Sequence, residues 1–298
     1  MTIFSASRRV LRNRIARALI IIFAIWNLAE IHVIQRRIYE IDHVLRHRPQ
    51  NQERIYIASI NWNNELILRS HWSKALTQLV LKLGRENVFI SIYESGSYDN
   101  TKGALRELDW ELERMRVPRN ITLSPVTHED ELAAPARGEG WIRTPDGKKQ
   151  LRRVPYLARI RNLSLLPLQD LARQGITFDK ILFLNDVVFT VRLKSLTFCQ
   201  ICLLTTALFV DQPNDVLELL NTNDGEYAAA CSLDFSKPPN HYDTFALRDS
   251  KGHEPIMQTW PYFSSAASRD AIKNMSPVPV ASCWNGMGML TSILESIV

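Results

Sequence analysis

Cysteine is scarce in this chain: four residues among 298, too few for a disulfide framework. Histidine is scarce as well, and its seven scattered positions show no metal-ligand spacing. There is no Gly-x-Ser-x-Gly elbow and no P-loop, so two common catalytic signatures are missing. There is also no large surplus of one charge. The net charge is +5, and Arg8, Arg9, Arg12, Arg14 and Arg17 fall in the first seventeen residues, which leaves the rest close to neutral. That argues against a nucleic-acid partner, which calls for a basic face with interleaved aromatics. What is present, 46% hydrophobic and 22% charged residues, is ordinary for a globular protein with one large domain or two small ones.

After the arginines comes "ALIIIFAIWNLAEIHVI", residues 18–34. At about 1.5 Å per residue it spans roughly 26 Å, near the thinner bilayers of the early secretory pathway. We expect an uncleaved signal anchor, because no A-x-A-like site follows the run. An amphipathic leader and a cleaved signal are the other readings. Arg36, Arg37, Arg46 and Arg48 on the far side leave only a slight positive-inside bias. The sequons at Asn120, Asn162 and Asn274 favour a lumenal body, although Pro277 follows the last. The expected layout is a cytosolic tail (1–17), one span (18–34), a stem (35–53) and a catalytic body (54–298) in a type II membrane protein.

Strand and helix patterns alternate through the body. "RIYIASIN" (54–61) and "NVFISIYE" (87–94) read as strands. Between them Leu68, Trp72, Ala75, Leu76, Leu79, Val80 and Leu83 share a helical face that ends at Gly84. A second helix, opening at an Asp or Asn cap, carries Leu105, Leu108, Leu112 and Met115, and "NITLSP" is a third short strand. Residues 127–150 read as a long exposed loop. "VPYLARIRNLSLLPLQDLARQG" reads as a helix kinked at Pro167, followed by the strands "KILFLNDVVF" and "GEYAAACSLDF". Alternation of this kind predicts an α/β fold: a mostly parallel, Rossmann-type sheet with helices on both faces. Ligands then collect beyond the carboxyl ends of the strands, which groups Glu94, Asp186 and Asp234.

"FDKILFLNDVVF" poses the sharpest chemical question, because a carboxylate ends the greasiest strand. An unpaired carboxylate buried there would cost several kcal/mol. A divalent cation resolves this: Mn²⁺ or Mg²⁺ would tie Asp186 to the diphosphate of a nucleotide sugar and stabilise the leaving group. The structural alternative is an N-capping or ion-paired aspartate.

The blocks "RIYIASINWNNE", "ISIYESGSYDNTKGALRELD", "RVPYLARIRNLSLLPL", "ILFLNDVVF", "LLNTNDGEYAAACSLDF" and "YDTFALRD" together resemble the fungal capsule-associated α-1,3-mannosyltransferases of glycosyltransferase family 69. The resemblance runs from about Arg54 to Gly286. It implies a GT-A-like fold, a Golgi or endoplasmic reticulum enzyme of polysaccharide biosynthesis, GDP-mannose as donor, and transfer to a mannose-containing glycan with the α-linkage retained. By position, Asn185 and Asp186 fall where such enzymes hold their metal, although the usual Asp-x-Asp pair is not matched. Arg161 and Asn162 correspond to the family's Arg-Asn helix start, where an arginine could clamp phosphate oxygens; a surface ion pair is the other reading. Glu94, Ser95 and Asp99 fall in the loop expected to meet base or ribose; a turn with a helix cap is the other reading. Asp234 is a candidate near the transferred sugar, and Trp260 and Tyr262 are candidates for stacking on the acceptor, where core packing is the alternative.

Two segments depart from that resemblance. Deleting residues 191–212, "VRLKSLTFCQICLLTTALFVDQ", restores the strand-to-helix transition, so we expect a translated intron there. Cys199 and Cys202 lie inside it without a second pair to complete a metal site, while Cys231 and Cys283 remain for a lumenal disulfide. The end, "GMLTSILESIV", does not continue as the resemblance implies, which points to a truncated gene model or a shorter paralogue. Besides a mannosyltransferase, the sequence allows a non-catalytic membrane protein of the same fold. It also allows a metal-dependent nucleotidyltransferase, which would want a second carboxylate beside Asp186.

Overall fold

A computed structural model describes residues 14–47, 53–133, 140–189, 215–237, 240–242 and 244–291. The segment 191–212, with Cys199 and Cys202, and the last seven residues lie outside it. The chain divides into two units, residues 1–49 and 50–298.

In the first unit a single helix, α1, runs Arg14–His47. Its stretch Arg14–Arg37 is long and apolar enough to cross a membrane. The helix continues through most of the segment read as a stem. No proline or glycine interrupts it before Pro49, and Arg36 pairs with Glu40 one turn on at 2.8 Å.

The second unit is built on a six-stranded sheet. In chain order its first elements are β1 (Ile55–Asn61), α2 (Glu65–Ile67), a π-helical turn (Leu68–Trp72), α3 (Ser73–Leu83) and β2 (Val88–Glu94). Next come α4 (Thr101–Arg114), β3 (Arg119–Leu123), α5 (His128–Ala133), β4 (Trp141–Arg143) and β5 (Lys149–Leu151). The long α6 (Arg153–Arg173) leads into β6 (Lys180–Leu184), and α7 (Asp215–Leu220) into β7 (Ala229–Cys231). The remainder holds β8 (Phe235–Lys237), β9 (Asn240–His241), β10 (Arg248–Asp249), α8 (Ala266–Lys273), β11 (Val280–Ser282) and β12 (Met287–Thr291).

The sheet order is β3-β2-β1-β6-β12-β7. The first four strands run parallel, and β12 is antiparallel to both β6 and β7. Alternation along β1 explains the two layers. Ile55 and Ile57 face a core with Trp72, Leu76, Leu79, Leu105 and Leu108 of the helices on one side. Tyr56 and Ala58 face the other, against Leu165 and Leu168 of α6 and Phe183 of β6. The Tyr56 hydroxyl donates to the Ser164 carbonyl at 2.8 Å, and burial holds its pKa far above the ordinary phenol range. The mostly parallel sheet covered by helices on both faces is the expected fold class.

Helix α6 carries Pro167 inside it, as the helical reading of this segment expects. One local reading needs correction. The segment 127–150 is more than a loop. Thr127 and Asp130 form a reciprocal cap, with Thr127 N–H and Oγ1–H donating to the carboxylate at 2.8 and 2.7 Å and Asp130 N–H donating to Thr127 Oγ1 at 3.1 Å. That cap opens α5. The β4–β5 hairpin turns through Pro145-Asp146-Gly147, where Gly147 takes φ 74° and donates to the Thr144 carbonyl at 2.9 Å.

Candidate functional site

A cavity of about 660 Å³ opens beyond the carboxyl ends of β1, β2 and β6. Register sets those ends side by side, since Asn61 pairs with Glu94 and Ala58 with Phe183. The end of β1 supplies Ile60, Asn61 and Trp62; the loop after β2 supplies Ser95; the turn after β6 supplies Asn185 and Asp186. Helix α6 closes one wall with Arg153, Tyr156, Leu157, Ile160 and Arg161. The spacing i, i+3, i+4, i+7, i+8 makes these one helical face. His128, at the start of α5, and Leu151, at the end of β5, complete the lining.

Four residues singled out from the sequence thus meet on one cavity: Ser95, Arg161, Asn185 and Asp186. Strand β6 stops at Leu184, because the next residues turn out of the sheet. Asn185 is fixed from three directions: its N–H donates to the Gly286 carbonyl at 2.8 Å, its Nδ2 to the Asn285 carbonyl at 3.4 Å, and its own carbonyl accepts the Trp72 indole N–H at 2.8 Å. With Asn185 pinned, Asp186 is left exposed at the cavity. Arg161 is half-buried, its guanidinium carbon 4.2 Å from the centre of the Trp284 ring.

The other candidates lie off the cavity lining, each for a local reason. Glu94 is fully buried; its carboxylate accepts the Ser97 N–H and sits 3.8 Å from the Lys102 ammonium, which shapes the loop 95–100. Asp99 joins two helix starts, accepting the Glu65 N–H at 3.0 Å and the Thr101 N–H at 3.0 Å. Burial alone would raise its carboxyl, but the Thr101 hydroxyl and these N–H bonds more than reverse that and hold it below the usual range. Asn162 is exposed on the neighbouring face of α6. Asp234 accepts the Gly286 N–H and, at 2.8 Å, the Ser232 hydroxyl. Trp260 and Tyr262 belong to a separate loop closed by a Tyr262 N–H bond to the Thr259 carbonyl at 2.8 Å.

Trp62, His128 and Tyr156 were not singled out from the sequence, yet they line the cavity. The His128 ring meets Tyr156 edge-on at 4.8 Å, and Trp62, half exposed at 49%, leans on Tyr98. Burial, then the charge of Glu131, pushes the Tyr156 phenol above its ordinary range, so it stays a neutral hydroxyl. Gly96, at φ 75°, lets the loop after β2 lie against the chain entering α5, where a Cβ would come within 2.0 Å of the Val126 carbonyl oxygen. That close approach brings His128 to the Ser95 side.

Among the described residues no group of three His, Cys, Asp or Glu side chains gathers to hold a metal. The donor set at Asp186 is a single exposed carboxylate. This fits a hard cation shared with diphosphate and water oxygens, and does not fit a cage made by protein alone. Cys231 and Cys283 are bonded, tying β7 to the segment before β12.

No curated protein matches this sequence. Two solved chains match its structure. One is the mannosyltransferase PcManGT from Pyrobaculum calidifontis in complex with GDP-Man and Mn²⁺, 13% identical, with a TM-score of 0.28. The match covers 57% of this chain and 40% of that one, so this chain spans less than half of that relative. The family model described as cryptococcal mannosyltransferase 1 matches residues 54–294, and the chain belongs to that mannosyltransferase family.

Proposed function

We propose that this protein transfers mannose from GDP-mannose to a hydroxyl of a mannose-containing glycan, forming an α-1,3 linkage, as a type II membrane enzyme of the Golgi or endoplasmic reticulum. The observation that carries the reading is that Arg161 and Asp186 share one cavity at the carboxyl ends of parallel strands, in a chain of a mannosyltransferase family. A diphosphate needs positive charge, and the planar guanidinium of Arg161 matches its oxygens in a bidentate way. Asp186 would hold Mn²⁺ or Mg²⁺, which supplies charge neutralisation to the departing diphosphate when bound. Asn185 acts through the backbone, fixing the turn that presents Asp186. Ser95, Trp62, His128 and Tyr156 line the same cavity, with aromatic surface suited to a base or sugar face. Leu151, Leu157 and Ile160 give the cavity an apolar wall.

In this proposal Glu94, Asp99 and Asp234 serve the site by holding its loops, and Asn162, Trp260 and Tyr262 lie outside the donor cavity. Loss of the Arg161 side chain would remove a charge-assisted contact that strengthens as the glycosidic bond breaks, an effect of about 10²-fold or more on kcat. The test is turnover of GDP-mannose by the full chain in detergent, with Mn²⁺ and a mannose-containing acceptor. Release of GDP coupled to mannosylated product supports the reading. Absence of both release and GDP binding favours a non-catalytic protein of this fold.

A further inference from the structure

We infer that Trp284 is a positioning residue: its ring holds the Arg161 guanidinium at the cavity, and the backbone around it also fixes Asn185, so one short segment orders both charged groups of the site. The inference rests on the proposed use of Arg161 toward the donor diphosphate.

The geometry is specific. Arg161 projects from α6, and the carbon at the centre of its guanidinium lies 4.2 Å from the centroid of the Trp284 ring, within the range of a cation–π contact. The indole also packs on the Phe183 ring of β6, centroid to centroid at 5.1 Å, and the Phe183 side chain is buried. Arginine carries a long side chain with many rotamers, and a contact with phosphate made from a mobile arginine first has to freeze it. Held against the Trp284 ring, the guanidinium has fewer rotamers left to lose when it meets phosphate.

Trp284 is held in turn by both of its neighbours. Cys283 is bonded to Cys231 of β7. Asn285 donates from Nδ2 to the Ser232 carbonyl, and its own carbonyl accepts from Asn185 Nδ2 at 3.4 Å. Gly286 donates its N–H to the Asp234 carboxylate and accepts the Asn185 N–H at 2.8 Å. The segment 283–286 therefore fastens to the β7 side through the disulfide, Ser232 and Asp234, and reaches the cavity through Trp284 to Arg161 and through the backbone to Asn185. The buried indole N–H of Trp284 has no hydrogen-bond partner among the described residues. A donor left unpaired is a liability, so the face of the ring, and not its N–H, is what this position uses.

The experiment is a double-mutant cycle on the full chain, with GDP titrated in the presence of Mn²⁺. Trp284→Leu removes the ring face, Trp284→Phe keeps one, and Arg161→Ala removes the group on which the ring acts. We expect Trp284→Leu to weaken GDP binding about tenfold and Trp284→Phe to stay within about threefold of the parent. In the Arg161→Ala background, Trp284→Leu should add no further loss. Additive losses in the double variant, or unchanged GDP affinity in Trp284→Leu, overturn the inference. Should Trp284→Leu fail to fold, Arg161→Lys carries the test: it keeps the charge but lacks the planar group, and parental affinity in that variant overturns the inference as well. A parent protein that binds no GDP removes the donor reading itself, whereas GDP binding insensitive to Trp284 removes only this inference.

Discussion

The indole N–H of Trp72 donates to the carbonyl of Asn185 at 2.8 Å, across 113 positions of sequence. Trp72 is fully buried and ends the π-helical turn Leu68–Trp72, an irregularity that aims its ring at the turn after β6. The helical core and the cavity are thus joined at the residue that precedes Asp186. In a Trp72→Phe variant the Asn185 carbonyl loses this donor. The expected result is a loss of about 1–3 kcal/mol in stability together with lower GDP-mannose turnover per folded molecule. Thermal melts and kcat/KM measured on the same preparation check it; a destabilised variant with unchanged turnover would show that the turn does not depend on Trp72.

Gly286 makes the second prediction. A Cβ there would lie 2.1 Å from Val187 Cγ1 and 2.8 Å from the Asp234 carboxylate. Val187 adjoins Asp186, so the displaced atoms belong to the cavity turn. Gly286→Ala should cost about 1–3 kcal/mol and reduce donor affinity. Pairing it with Val187→Ala opens the space and should recover part of both losses, as read by denaturant melts and GDP titration.

Asp249 predicts an acid response. It is fully buried, and its carboxylate accepts N–H groups from Lys251, His253 and Ser265 at 2.8–3.0 Å and the Ser264 hydroxyl at 3.0 Å. Burial alone would raise its pKa, but these four donors overcome that and hold it well below the usual carboxylate range. A depressed folded pKa stabilises the fold above the unfolded value, near 3.9, and that stabilisation is lost as pH falls below it. Asp249→Asn should therefore destabilise most at neutral pH, with its deficit shrinking toward about pH 3. A deficit that is constant across that range would contradict the assignment.

Asn120 reports on topology. It is exposed on β3, at one edge of the sheet, and heads the sequon Asn120-Ile121-Thr122. In a lumenal body this position is open to glycosylation. Endoglycosidase treatment of the expressed full chain should shift its mass, and Asn120→Gln should remove that part of the shift. A chain with no sensitive glycan at any of its three sequons contradicts the lumenal placement.

Much of the fold was legible because periodicity carries it. Leu68, Trp72, Leu76, Leu79 and Leu83 follow the helical repeat and are all buried, and the apolar run of β6 is buried at every position. The site was legible only where a residue closes a strand or repeats on a helix. Asp186 announced itself by interrupting an apolar run. The cavity face of α6 was written in the spacing of Arg153, Tyr156, Leu157, Ile160 and Arg161, but only Arg161 attracts notice without the wall it faces. Asp234 was legible as a carboxylate near a strand end, while its partner, the Gly286 N–H, lies 52 residues away and leaves no local trace. Asp99 shows the same ambiguity in miniature: a loop aspartate reads equally as ligand or cap, and here it caps two helices. The T-x-x-D box at Thr127 was present in the sequence, yet the charged composition around it masked the short helix that delivers His128.

The most direct measurement titrates GDP into the full chain and its Asp186→Asn variant, each with Mn²⁺ and with a chelator. Mn²⁺ should strengthen GDP binding to the parent, Asp186→Asn should abolish this dependence, and both proteins should melt alike. Equal Mn²⁺-dependent affinity in the two proteins would contradict this expectation, because the exposed carboxylate beyond β6 would then play no part in holding the donor.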